Sequence, residues 1–196
     1  MKTLAMLAAA AVILTAGTPA TAGDWKEDET HTTIGFVAKH LVVSNVSGKF
    51  KDYSVSVKSD KPDFSDAKIE VRIKAASIST ENTMRDNHLR GDDFFAAEQF
   101  PDLVFVSTLM QHLGGNKYKV TGNLTIRGTT KKIVLDAEFG GIVKDPWGNT
   151  KAGFSLTGSL NRFDYGLKWN NAIEAGGLVV GETIKLACEV ELVKKS

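Results

Sequence analysis

The sequence predicts an all-β domain of eight strands, a sandwich or a barrel, with a short helical insertion between the third and fourth strands. Three observations carry this. Hydrophobicity alternates with period two along most of the chain, turn-forming clusters separate the alternating runs, and one polar stretch interrupts the rhythm. Alternation sorts methyl groups and charges onto opposite faces only when the backbone is extended.

The N-terminus stands outside the pattern. Met1-Lys2 is a short positive stretch, Leu4 to Leu14 is an unbroken apolar run, and Ala20-Thr21-Ala22 is an A-x-A cleavage site. The run is too short to span a bilayer, which takes about 20 residues. Residues 1–22 are expected to be a cleavable signal peptide, leaving 23–196 as an exported domain with no integral membrane span.

Thr33 to His40 and Phe50 to Val57 are the first two, weaker strands. Ala67 to Ala75 is the clearest: odd positions are apolar and even positions through Lys74 are charged. Ser79 to Gln99 then breaks the alternation and contains good helix formers, with a start after Thr80 and a stop at Gly91. Strands resume at Leu103 to Leu109, and Tyr118 to Ile126, Ile133 to Phe139, Phe154 to Leu160 and Ile184 to Leu192 follow. Gly114-Gly115-Asn116, Arg127-Gly128, Asp145 to Asn149 and Gly176-Gly177 supply turns. Ile69, Val71, Ile73, Leu124, Ile133, Leu135, Leu156 and Leu186 are expected to face inward. Small inward residues, Gly122, Ala137 and Gly158 among them, either leave room for a ligand or mark corners and tapers. Trp147 and Trp169 fall in loops and are expected to cover a barrel end.

Composition excludes several classes of function. The chain carries 24 basic and 23 acidic residues, and loss of Lys2 would leave the exported domain neutral. That argues against a nucleic-acid partner and against strong attraction of the whole domain to anionic lipid. One cysteine, Cys188, permits no intrachain disulfide; in phase with Leu186 and Val190, it reads as a buried, inert thiol. His31, His40, His88 and His112 follow no zinc-binding spacing, so no metal is expected. No G-x-S-x-G elbow, phosphate loop or dinucleotide fingerprint is present, so neither a cofactor nor an enzyme is expected.

Four segments together carry a resemblance. They are Trp25 with His31-Thr32-Thr33-Ile34-Gly35-Phe36 through Phe50; Met84 to Phe95 with Phe100-Pro101 and Phe105; Gly122 to Lys131; and Asn161-Arg162-Phe163-Asp164-Tyr165-Gly166-Leu167. The chain resembles the YceI-like family of exported bacterial proteins. The resemblance implies an eight-stranded antiparallel, lipocalin-like barrel in the periplasm, whose pore holds a long apolar lipid, a polyisoprenoid or a quinone. A homodimer is compatible with it.

Candidate ligand-binding residues follow in two groups. Phe36, Leu89, Phe94, Phe95, Phe105 and Phe154 are candidates for lining an apolar tunnel, although strand aromatics are more often plain core. His40, Arg85, His88 and Asp92 are candidates for holding a polar head group. The same cluster, with Asp86 and Asp93, would serve equally as caps and ion pairs on a surface helix. Two rival readings stay open: an enzyme acting on such a lipid through His88 with Asp86 or Asp92, and a stress-linked interaction protein with an incidental cavity.

Overall fold

The computed structural model describes residues 23–171 and 178–195. The expected signal peptide and the Gly176-Gly177 turn lie outside the described residues. The strands are β1 (Gly23–Glu27), β2 (Thr33–His40), β3 (Ser44–Phe50), β4 (Tyr53–Ser59), β5 (Lys68–Lys74), β6 (Ile78–Ser79), β7 (Asp102–Gly114), β8 (Lys117–Ile126), β9 (Thr129–Lys144), β10 (Thr150–Asn161) and β11 (Val180–Lys194). The helix α1 (Thr83–Arg90) lies between β6 and β7.

These strands form eight staves of a closed antiparallel barrel. β1 and β2 lie in line along β11, with Trp25 opposite Lys194 and Thr33 opposite Glu189. β3 and β4 likewise continue one another, pairing with β2 and then β1. The ring continues through β5, β7, β8, β9, β10 and β11, and the β1–β11 pairing closes it. Closure removes the exposed sheet edges that invite aggregation. The eight expected strands correspond to these staves, and α1 sits between the third and fourth. β1 and β3 add short stretches that alternation over a few residues does not reveal.

The helix follows its local signals. The Asn82 side chain accepts from Arg85 N at 3.0 Å and caps the N-terminus, and Gly91 ends the helix. At the β8–β9 hairpin both Arg127 (φ 48°) and Gly128 (φ 72°) take left-handed backbone, the twist a two-residue connection needs. Several strand glycines are covered by neighbouring side chains. A Cβ at Gly122 would lie 2.4 Å from the Phe105 ring, and one at Gly48 would lie 2.3 Å from the Phe36 ring. The small inward residues Gly122 and Gly158 therefore make room for neighbouring side chains and do not themselves create a void.

The break between β1 and β2 is pinned by charge. Lys151 Nζ lies 2.6 Å from both Asp28 Oδ2 and Glu191 Oε1. Its ammonium, with help from Thr30, holds the Asp28 carboxyl well below the usual carboxylate range. Asp28 and then Glu191 raise Lys151 above its ordinary value. A carboxylate depressed in the folded state stabilises above its unfolded pKa, near 4, and that contribution is lost as pH falls through the folded value. Lys151→Met should therefore lower the urea midpoint at neutral pH. The gap to the parent should close as pH drops below about 4; a gap independent of pH would show that the network does not carry this linkage.

Candidate functional site

The barrel is hollow. Its lumen is a cavity of about 240 Å³, whereas one buried water needs only about 10–15 Å³. All eight residues expected to face inward line it. Several of them, including Ile69, Val71, Leu135, Leu156 and Leu186, are only partly buried despite facing the interior. A filled barrel would bury them fully; here they border open space.

Aromatic side chains close one end. Phe64, in the loop between β4 and β5, is 1% exposed and adopts a left-handed backbone (φ 57°). Its ring centroid lies 5.2 Å from Trp25, 5.2 Å from Phe154 and 5.6 Å from Phe139. Tyr118 anchors the same loop by donating to Asp63 O at 2.8 Å. Phe64 stands in a polar loop with no alternation around it, so nothing in the local sequence marks its role.

The opposite end is built by α1, the segment after it and the turn following β10. Leu89, Phe94 and Phe95 border the lumen there. Phe95 meets Phe50 edge-on at 5.9 Å, and Phe50 meets Phe36 at 5.8 Å. Trp169 packs against Phe94 at 5.3 Å and so covers this end as expected. Trp147 does not cover an end: at the tip of the β9–β10 hairpin it is 83% exposed.

Phe36, Leu89, Phe94, Phe95, Phe105 and Phe154 all line the cavity; His40, Arg85, His88 and Asp92 do not. Arg85 turns back on its own loop, donating to Thr80 Oγ1 at 2.7 Å and Thr80 O at 2.9 Å. His88 Nε2 pairs with Asp93 Oδ2 at 2.8 Å, and its ring stands edge-on to Phe94 and Trp169. Asp92 is exposed, and His40 ends β2 opposite Ser44. Asp86 is buried and accepts from Thr80 N and Oγ1 at 2.8 and 2.6 Å. The cluster thus satisfies itself on and beside a short helix and presents no polar group to the lumen. The spacing of the residues is the same for both uses, so sequence alone did not separate them.

Arg162, in a segment whose sequence marks only a corner, is the charged residue of the lining. It is 3% exposed and borders the lumen. Its guanidinium donates to Gly181 O and Val180 O at 3.0 Å, to Trp169 O at 2.9 Å and to Leu167 O. Its planar fork is spent on holding the chain around the barrel end. Two further lining residues carry polar atoms. Burial pushes the Tyr165 phenol up to about 12 and raises the Cys188 thiol above its ordinary value, so both stay neutral near pH 7. Every other lining residue is apolar or glycine.

The only three-residue group of possible metal ligands among the described residues is Asp28, His31 and Glu191 on the outer side. The Lys151 ammonium already bridges its two carboxylates. Among the described residues the lumen lining holds no comparable group.

Comparison with known proteins matches this architecture. The YceI-like domain pattern matches residues 25–192. The UPF0312 protein SAS2572 of Staphylococcus aureus (strain MSSA476) is 39% identical over 165 residues, 84% of this chain and 94% of that protein. The crystal structure of the Campylobacter jejuni YCEI protein has 44% sequence identity and a TM-score of 0.70, covering 81% of this chain and 90% of that one. At lower identity the fold persists. Burkholderia cenocepacia BcnA (22%, TM-score 0.71) covers 84% of this chain and 98% of its own. A polyisoprenoid-binding domain from Saccharophagus degradans (14%, TM-score 0.59) covers 87% and 98%.

Proposed function

The chain belongs to the YceI-like family, and from that premise we propose that it is an exported, periplasmic carrier that holds a long-chain isoprenoid lipid in its lumen. The observation that carries this reading is the hollow barrel lined almost wholly by apolar side chains. The polyisoprenoid-binding domain of the same fold supports the ligand class, and the N-terminal apolar run with its A-x-A site supports export. Each buried methylene contributes about 0.8 kcal/mol. Micromolar binding needs about 8 kcal/mol net, after ordering costs. A ligand without polar anchors must reach that through chain length, which favours a polyprenyl or quinone tail over a small metabolite.

Carriage fits the lumen better than catalysis does. In the rival enzyme reading His88 works with Asp86 or Asp92; in the structure it pairs with Asp93, outside the lining, and among the described residues the lining offers no carboxylate or imidazole. Mass spectrometry of solvent extracts of the purified protein should find an isoprenoid lipid. Cys188 gives a second readout, because its side chain borders the lumen. Delipidated protein should react with an apolar maleimide at mildly alkaline pH, and added geranylgeraniol should protect the thiol. Extracts without lipid, together with a Cys188 that no isoprenoid protects, would overturn the reading.

A further inference from the structure

We propose that the β2–β3 hairpin tip, Leu41-Val42-Val43, docks the protein onto an anionic phospholipid bilayer, bringing the helix-bearing end of the barrel against the membrane that supplies or receives its ligand. The inference rests on the carrier reading above.

The first observation is strain. Leu41 (φ 50°) and Val42 (φ 65°) both take left-handed backbone. Asn-Gly or Gly-Gly adopts such consecutive conformations cheaply, whereas a β-branched residue does so only against steric resistance. The strain is not recovered by packing. Val42 is 57% exposed and Val43 83%, and Leu41 is also exposed. An outlier kept without a packing return points to use at a surface.

The second observation is place. Ala38 and Val180 line the lumen close to this tip, and Val180 pairs with His40 immediately before it. Leu41 N donates to Val179 O at 2.9 Å, which ties the tip to the start of β11. The barrel end closed by Phe64 lies opposite, so the apolar tip stands at the end built by α1 and covered by Trp169.

The third observation is charge. The exported domain is neutral overall, yet Thr33 to Phe50 contains no acidic residue and carries Lys39 and Lys49. Both lysines are exposed and lack an ion pair among the described residues. Lys185, on the neighbouring strand opposite Val37, is also exposed. The adjacent acid, Glu182, turns toward β10, where it accepts from Asn161 at 3.4 Å. Lys49 lies farther along the hairpin, opposite Gly35, so the local charge at the tip is that of Lys39 and Lys185. An apolar tip beside these two lysines suits the boundary between headgroups and acyl chains of an anionic leaflet. Whole-domain neutrality limits long-range attraction and leaves this local match intact.

The test compares the parent with Leu41→Asn/Val42→Gly, which gives the turn residues its backbone favours. Co-sedimentation uses vesicles of phosphatidylcholine with three parts in ten phosphatidylglycerol, and vesicles of phosphatidylcholine alone. The parent should partition onto the anionic vesicles, and less onto the neutral ones. The double variant should melt at the same or a higher temperature and partition about tenfold less. Lys39→Gln/Lys185→Gln should lose the preference for anionic vesicles. Binding of geranylgeraniol in solution, read by Cys188 protection, should match the parent in both variants. Equal partitioning of parent and Leu41→Asn/Val42→Gly, or no partitioning by the parent, overturns the docking inference while geranylgeraniol binding still stands. Loss of geranylgeraniol binding by the parent overturns the carrier reading instead. A concentration-dependent dimer of the parent that the tip variant abolishes, without vesicle binding, assigns the tip to a second copy and also overturns it.

Discussion

Arg162→Leu should destabilise the barrel by about 3–5 kcal/mol, because it leaves several buried or part-buried carbonyls without their donor. Arg162 serves Leu167, Trp169, Val180 and Gly181 at once. Val180 O keeps a second donor, Asn170 Nδ2 at 2.7 Å, so the loss falls on the other three. Water can reach some of those carbonyls once the side chain is gone, which keeps the cost below three full desolvation penalties. Leucine matches the apolar lumen, so the loss would report the missing hydrogen bonds and not a buried, unpaired charge. Arg162→Lys should recover little: an ammonium has the charge but lacks the planar fork that spans four acceptors. In a domain of this size the melting temperature should fall by the order of 10 °C. Urea melts at constant m would check this, and a midpoint within error of the parent would mean that the turn after β10 holds without the clamp.

The Arg162 clamp also shows what the sequence does and does not display. Its segment, Asn161-Arg162-Phe163-Asp164-Tyr165-Gly166, reads as a corner, and it is one: Gly166 takes left-handed backbone (φ 78°) and Asn161 accepts from Phe163 N. What stays hidden is where the guanidinium goes. Two of its four acceptors, Val180 and Gly181, belong to β11, across the connection from the corner. The same division runs through the whole molecule. Alternation along β5, β8, β9, β10 and β11 is a local property, and it identifies both the staves and their inward faces. The β1 strand, with only five residues, is too short for period two to stand out, although its Trp25 is 2% exposed. Phe64 leaves no local signature, because it closes the barrel through contacts with β1, β9 and β10. For the site, the aromatic half was legible, since a residue inward on a barrel strand lines whatever the barrel contains. The polar half was not. Arg85, Asp86 and His88 meet partners five or six residues away, at Thr80 and Asp93, and composition cannot distinguish a cluster satisfied within itself from one aimed at a ligand.

Val71→Trp should weaken isoprenoid binding about a hundredfold and leave the barrel folded, whereas Gly122→Leu should disrupt the barrel itself. The contrast follows from where space exists. Val71 faces the lumen and is only partly buried, so a larger ring grows into the cavity. If the indole takes the volume of about four ligand methylenes, roughly 3 kcal/mol of transfer free energy is lost, about a hundredfold in Kd. Gly122 also looks, in sequence, like a small residue leaving room. A Cβ there would stand 2.4 Å from the Phe105 ring and 2.6 Å from the Val106 carbonyl oxygen, and a backbone oxygen does not move aside as a flexible side chain does. Gly122→Leu should therefore cost stability by overpacking, on the order of 3 kcal/mol, and any loss of binding would follow from that damage. Measuring geranylgeraniol binding and urea midpoints on both variants separates occupancy of the lumen from integrity of its wall. Parent-like affinity in a folded Val71→Trp would place the ligand outside the lumen. A folded Gly122→Leu of parent-like stability would mean that Phe105 swings clear into the cavity, and its binding should then fall as that of Val71→Trp does.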